Sequence, residues 1–213
     1  MTVQTSTPAE TASLVRTALW LVGGTLAYNC AEAAISIWAG SEAGSIALFG
    51  FGLDSAIEIA ASAVLLWRLS FEKRSDDKER VESAERRAGR FIGLTFVFLA
   101  VYLVVESVLN LVTRSRPDAS LIGIIVAAAS LLVMPILAGV KLRVARRLGS
   151  VALKGEAKET LACAGLSLTL LAGLVLNAAF DWWWADPVAA LVMVPWLIVE
   201  GLEGIRGEPG EAD

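Results

Sequence analysis

The sequence predicts an all-α fold: a polytopic membrane protein built as a bundle of six transmembrane helices, with both termini cytoplasmic. Three observations predict it. The 213 residues are 56% hydrophobic and only 19% charged, with a mean hydropathy of +0.64. A soluble domain of that length needs a more polar surface. The apolar residues are gathered into blocks, several of which reach the roughly 17–25 residues that a membrane-crossing helix requires. Basic residues, finally, collect in alternate linkers, as they do when positive charge stays on the cytoplasmic side.

Residues 1–16 read as a polar N-terminal tail. MTVQTSTPAE carries no positive charge, and the apolar run that follows has no small-residue cleavage site in the right place, so no cleaved leader is expected. Residues 17–205 hold the six spans: Thr17 to Trp38, Ser45 to Trp67, Phe91 to Val112, Leu121 to Lys141, Ala157 to Phe180 and Pro187 to Ile205. Residues 206–213 form a short polar C-terminal tail.

The linker from Arg68 to Arg90 carries Arg68, Lys73, Arg74, Lys78, Arg80, Arg86, Arg87 and Arg90. The linker from Lys141 to Lys154 carries Lys141, Arg143, Arg146, Arg147 and Lys154. The opposite linkers hold only Arg114 and Arg116. This asymmetry orients the chain in a cell membrane, inner or plasma, and explains the basic residues without a nucleic-acid partner. It also suits contact with anionic lipid head groups. Trp182, Trp183 and Trp184, with Trp38 and Trp67 near helix ends, read as interfacial anchors. In DWWWADP, Asp186 can cap a helix and Pro187 suits a first helical turn.

The spans are less apolar than lipid-facing helices require. Span one contains Asn29 and Glu32, span two Asp54 and Glu58, and span three Glu106 and Asn110. Span five opens with Glu156, Lys158 and Glu159 and then reaches Cys163. A carboxylate at mid-membrane costs roughly 2.5–3.5 kcal/mol on insertion scales. Such groups must face a bundle interior or an aqueous cavity.

Spacing sharpens this. Asp54 and Glu58 are i,i+4 and share one helix face; Glu159 and Cys163 have the same spacing. Two such helices face to face supply three carboxylates and a thiol around one point, a set that suits tetrahedral zinc better than octahedral magnesium. A cation would offset the buried charge, and protons could do so when it leaves, so one site is expected to be able to exchange metal for protons. Glu156 replaces Glu159 if that helix is rotated. Asn29, Glu32, Glu106 and Asn110 are candidates for a path or for groups supporting the ligands, with interhelical hydrogen bonding as the competing role. Cys30 reads as packing, and two cysteines make no disulfide framework. With no histidine in the chain and no HExxH, an intramembrane enzyme is not expected, and no prosthetic group is implied.

AGSEAGSIALFGFGLDSAIEIAASAVLLW, from Ala39 to Trp67, resembles the second-span region of cation diffusion facilitator transporters. Gly44, Ser45, Ala47 and Leu48 match their GS-x-AL lead-in, and Asp54 and Glu58 fall on their metal-binding pair. GEAKETLAC, from Gly155 to Cys163, is similar to the fifth span, with Glu159 and Cys163 on the ligand positions and Glu156 on a preceding acidic position. The ADP at Ala185 to Pro187 also matches.

The resemblance implies a homodimeric exporter exchanging a divalent cation, most commonly Zn2+, for protons. Glu58 stands where Asp is usual, and Glu159 and Cys163 replace the usual His or Asp and Asp. Thiolate favours softer ions and argues against manganese. The family's cytoplasmic C-terminal domain is not expected here, so a dimer is expected to form through the spans or linkers. The alternative reading is a non-transporting, metal-binding or regulatory membrane protein.

Overall fold

The computed structural model describes residues 8–72, 78–148 and 151–206, except for the side chains of 8–12, 61, 64–65, 67–89, 92, 151–152 and 155. The basic side chains from Arg68 to Arg87, the Trp67 side chain and the C-terminal tail beyond Arg206 lie outside what it describes.

Six helices follow one another: α1 (Pro8–Ala43), α2 (Ile46–Glu72), α3 (Lys78–Thr113), α4 (Leu121–Leu148), α5 (Val151–Phe180) and α6 (Ala185–Arg206). Several outrun their apolar blocks. α2 continues to Glu72 and α3 begins at Lys78, so most of the charged stretch expected as a linker is helix. The same holds between α4 and α5. Glu, Lys, Arg and Ala have high helix propensity, so charge in the sequence marks where the apolar block ends and not where the helix ends. α1 likewise starts at Pro8, inside the stretch read as a tail.

Among the described residues, four helical segments are long and apolar enough to cross a membrane: Gly93–Thr113, Leu121–Leu148, Glu156–Phe180 and Ala185–Arg206. α1 and α2, which carry Asn29, Glu32, Asp54 and Glu58, are outside that set. Exposed apolar side chains such as Trp20, Phe98, Val112, Leu132 and Ile136 cover the outer surface of the protein, as expected where the neighbour is lipid.

α1 packs on α2 and α4, α4 on α5, and α3 on α6, while α2 reaches α3, α5 and α6. Leu48, Phe51, Leu103, Met134, Leu170, Met193 and Leu197 form the shared core. α3 and α6 approach backbone to backbone. A Cβ added at Gly93 lies 2.5 Å from the Gly201 carbonyl oxygen and 2.7 Å from the Ile205 nitrogen. Neither neighbour is a side-chain end that can swing away. Gly93→Ala is therefore expected to lower stability by about 1–3 kcal/mol, read as a fall in the melting temperature of the purified protein in detergent.

The start of α2 is fixed in detail. Gly44 has a φ of 63° and lets Ser45 N–H reach back to the Gly40 carbonyl at 3.0 Å, closing α1. Ser45 then caps α2, its hydroxyl oxygen accepting the Leu48 N–H at 3.1 Å. Asp186 takes the remaining donors: its carboxylate accepts from the Ser45 hydroxyl, from Ile46 N–H at 2.9 Å and from Ala47 N–H at 3.4 Å.

A residue expected to cap its own helix thus caps a different one, across the bundle. The negative charge also suits the positive N-terminal end of α2. Asp186→Ala leaves these donors buried without partners at about 1–3 kcal/mol per group, so a loss of at least about 2 kcal/mol is expected in the same melting assay. Asp186→Asn recovers only part, since one of its two oxygens becomes a donor.

Candidate metal site between α2 and α5

α2 enters the bundle with Asp54 two turns below its cap. Asp54 is 4% exposed, and its Oδ2 has no hydrogen-bond partner. Glu58, one turn on, is half-buried. Across from them α5 presents Cys163, 1% exposed. One donor atom from each of Asp54, Glu58 and Cys163 lies within 4.8 Å of the other two, a grouping able to hold a metal ion. Two carboxylates and a thiol thus converge from two helices. The i,i+4 spacing on α2 produces one half of the set, and the crossing of α2 with α5 produces the other.

α1 supplies a second layer. Asn29, 2% exposed, donates from Nδ2 to Glu58 Oε2 at 3.0 Å. Glu32, 3% exposed, accepts from the Ser55 hydroxyl at 2.9 Å on Oε2, and the Cys163 thiol approaches the same oxygen at 3.9 Å. Thr25, Asn29, Glu32 and Ser36 are all buried and lie on one face of α1, a polar stripe turned into the bundle.

Glu159 is half-buried and is not one of the three grouped donors. It stands one turn before Cys163 on α5, and its charge bears on both Asp54 and Glu58. Glu156 occupies a different environment. Its Oε1 pairs with Lys141 Nζ at 3.2 Å, and Lys141 also donates to Thr160 Oγ1 at 3.0 Å. Lys141 is fully buried. A residue read as part of a basic linker is instead an internal cation, held between α4 and α5. Glu106 and Asn110, half-buried on α3, lie outside the grouped donors; the Asn110 carbonyl accepts Ser115 N–H at the end of that helix.

Two participants escaped the sequence reading. Lys141 is one. The other is Glu200 of α6, half-buried, whose charge reaches Asp54 and Glu159. An acid inside the sixth apolar block was a signal of the same kind as the others.

The model of the cation efflux transmembrane domain matches residues 25–207 of the chain. The chain belongs to the cation efflux family. Its fold is thus a transport fold, of a class not associated with catalysis, and the group formed by Asp54, Glu58 and Cys163 sits between α2 and α5 as a divalent-cation transport site of that family does.

Two relatives are similar to it. An uncharacterized transporter from Synechocystis sp. is 26% identical over 151 residues, 70% of this chain and 49% of the relative. Transmembrane protein 163 from Xenopus laevis is 25% identical over 189 residues, 87% of this chain and 65% of the relative. The chain therefore spans less than two thirds of the length of either.

Proposed function

We propose that this cation efflux chain carries a divalent cation, zinc or a similarly soft ion, out of the cytoplasm of a cell membrane in exchange for protons. In this reading all six helices cross the membrane as one domain over residues 17–205, both termini are cytoplasmic, and the unit works as a homodimer. The observation that carries it is the convergence of Asp54, Glu58 and Cys163 within 4.8 Å of one another, between two helices of an efflux fold.

The chemistry follows from the donors. Carboxylates and a thiol bind a cation only when deprotonated, so loading the metal releases protons and taking up protons releases the metal. Glu159, one turn nearer the start of α5, lies on the cytoplasmic approach and passes the ion to the three grouped donors. Glu32, Glu159, Glu200 and Lys141 face the site from α1, α5, α6 and α4 and set the charge that the ion meets. Asn29 holds Glu58 in position through its 3.0 Å hydrogen bond.

The thiol gives a test of the substrate class. Thiolate prefers zinc and cadmium to manganese. Cys163→Ser is expected to weaken cadmium binding by at least about tenfold relative to manganese binding, measured by calorimetric titration of the protein in detergent. Equal losses for both ions contradict a thiolate ligand.

A further inference from the structure

We propose that Glu32 of α1 is the fourth donor of the cation site, completing a set drawn from three helices: Glu32 from α1, Asp54 and Glu58 from α2, and Cys163 from α5. The inference rests on the proposed metal site and names a ligand that the paired spacings on α2 and α5 do not supply.

Glu32 has no other evident employment. It is 3% exposed, and its Oε1 is buried without any hydrogen-bond partner. Its Oε2 meets the Ser55 hydroxyl at 2.9 Å and the Cys163 thiol at 3.9 Å, and the Ser130 and Tyr28 hydroxyls lie close to the carboxylate; all four groups are neutral. The one buried cation described nearby, Lys141, is engaged with Glu156 and Thr160. A buried acid with an idle oxygen and no counter-cation is costly as a structural element, and a bound cation removes that cost.

Position and geometry agree. Zinc with bonds of about 2.0 Å to oxygen and 2.3 Å to sulfur places tetrahedral donors about 3.5 Å apart. The Glu32–Cys163 separation of 3.9 Å is close to that spacing. Glu32 is not within 4.8 Å of all three grouped donors, so at least one further separation must shorten when the ion binds. The carboxylate swings on three side-chain torsions, and the groups that restrain it, the hydroxyls of Ser55, Ser130 and Tyr28, are all neutral.

The Oδ2 of Asp54 is likewise buried without a hydrogen-bond partner, and Ser55, which holds Glu32, follows Asp54 in the chain. Asn29, one turn before Glu32, already binds Glu58. α1 thus touches the site twice, once through an amide that positions a ligand and once through a carboxylate free to become one. Glu159 then remains on the approach and outside the coordination sphere.

Cobalt(II) is the probe, because tetrahedral cobalt absorbs strongly in the visible range and a cobalt–thiolate bond adds a charge-transfer band. The full chain in detergent is titrated with Co2+ alongside Glu32→Gln, Glu32→Asp and Glu159→Gln. The wild type is expected to show both signatures. Glu32→Gln keeps the thiolate band, loses most of the tetrahedral intensity as water replaces the carboxylate, and binds cobalt at least about tenfold more weakly. Glu32→Asp retains the tetrahedral bands at reduced affinity, which also shows that a change at this position leaves the site assembled. Glu159→Gln changes the affinity for cobalt, since its charge bears on the site, but keeps both the tetrahedral bands and the thiolate band.

Wild-type spectra in Glu32→Gln, or loss of tetrahedral intensity in Glu159→Gln alone, overturn the assignment and leave the three-donor site standing. Absence of saturable cobalt binding and of a thiolate band in the wild type overturns this inference and the proposed function together.

Discussion

Asp54→Asn is expected to reduce zinc affinity by at least about 100-fold, or about 2.8 kcal/mol, while leaving the folded protein intact. Asp54 is the grouped carboxylate that is almost wholly enclosed, and its Oδ2 is uncommitted to any protein donor. Asn preserves the volume and shape, so the packing of α2 is undisturbed. What disappears is the negative charge and one anionic ligand.

The effect on stability runs the other way. An uncompensated carboxylate in low dielectric costs more than a neutral amide, so the variant melts at or above the wild-type temperature in the absence of metal. Zinc raises the melting temperature of the wild type, because a ligand that binds only the folded state stabilises it by mass action. It does not do so for the variant. Titration calorimetry and metal-dependent melting check the two halves separately. Retained affinity in a folded Asp54→Asn protein contradicts the assignment of this site.

The second large effect is at the internal ion pair. Lys141→Met leaves Glu156 buried without its cation, at an expected cost of about 3–5 kcal/mol. Glu156 Oε2 is already buried without a hydrogen-bond partner, so loss of the ammonium leaves both oxygens of the carboxylate short of donors. Lys141→Met with Glu156→Gln removes both charges. It is expected to recover most of that loss, since replacing a whole buried pair is far less costly than breaking it. A double-mutant cycle in detergent melts isolates the coupling.

Metal binding gives an independent check. The Lys141 charge also bears on Glu58 and Glu159, so it competes with the ion for their negative charge. The doubly neutral protein is expected to bind zinc with an affinity changed by less than about tenfold, because both members of the pair act at a distance and with opposite sign. A larger loss means that Lys141 or Glu156 takes part directly in the site.

The sequence made the bundle legible because periodic apolar blocks are local features. Asp54 and Glu58 were legible for the same reason: two acids one turn apart in an apolar run cannot both face lipid. Cys163 could be placed opposite them only because its spacing with Glu159 copied theirs. The spacing did not reveal how α5 lies against α2, and so did not show that Cys163 shares a 4.8 Å group with Asp54 and Glu58 while Glu159 stands outside it.

Lys141 was misplaced because a lysine near the end of an apolar block ordinarily reaches the interface. Its depth is decided by Glu156 on the next helix, a partner that no local window contains. Asp186 shows the same limit. Its carboxylate satisfies the start of a helix some 140 residues earlier in the chain. The basic stretch between α2 and α3 was read as linker because charge marks the membrane boundary well and the helix boundary poorly.

Transport through the site between α2 and α5 requires metal and protons to move together in opposite directions. The most direct test reconstitutes the chain in sealed vesicles under a proton gradient and follows luminal zinc and luminal pH together, for the wild type and Asp54→Asn. Zinc movement accompanied by opposite proton movement is expected in the wild type, and neither in the variant. Zinc binding without any zinc flux, in protein shown to be folded and inserted, contradicts transport and leaves a membrane protein that binds metal without carrying it.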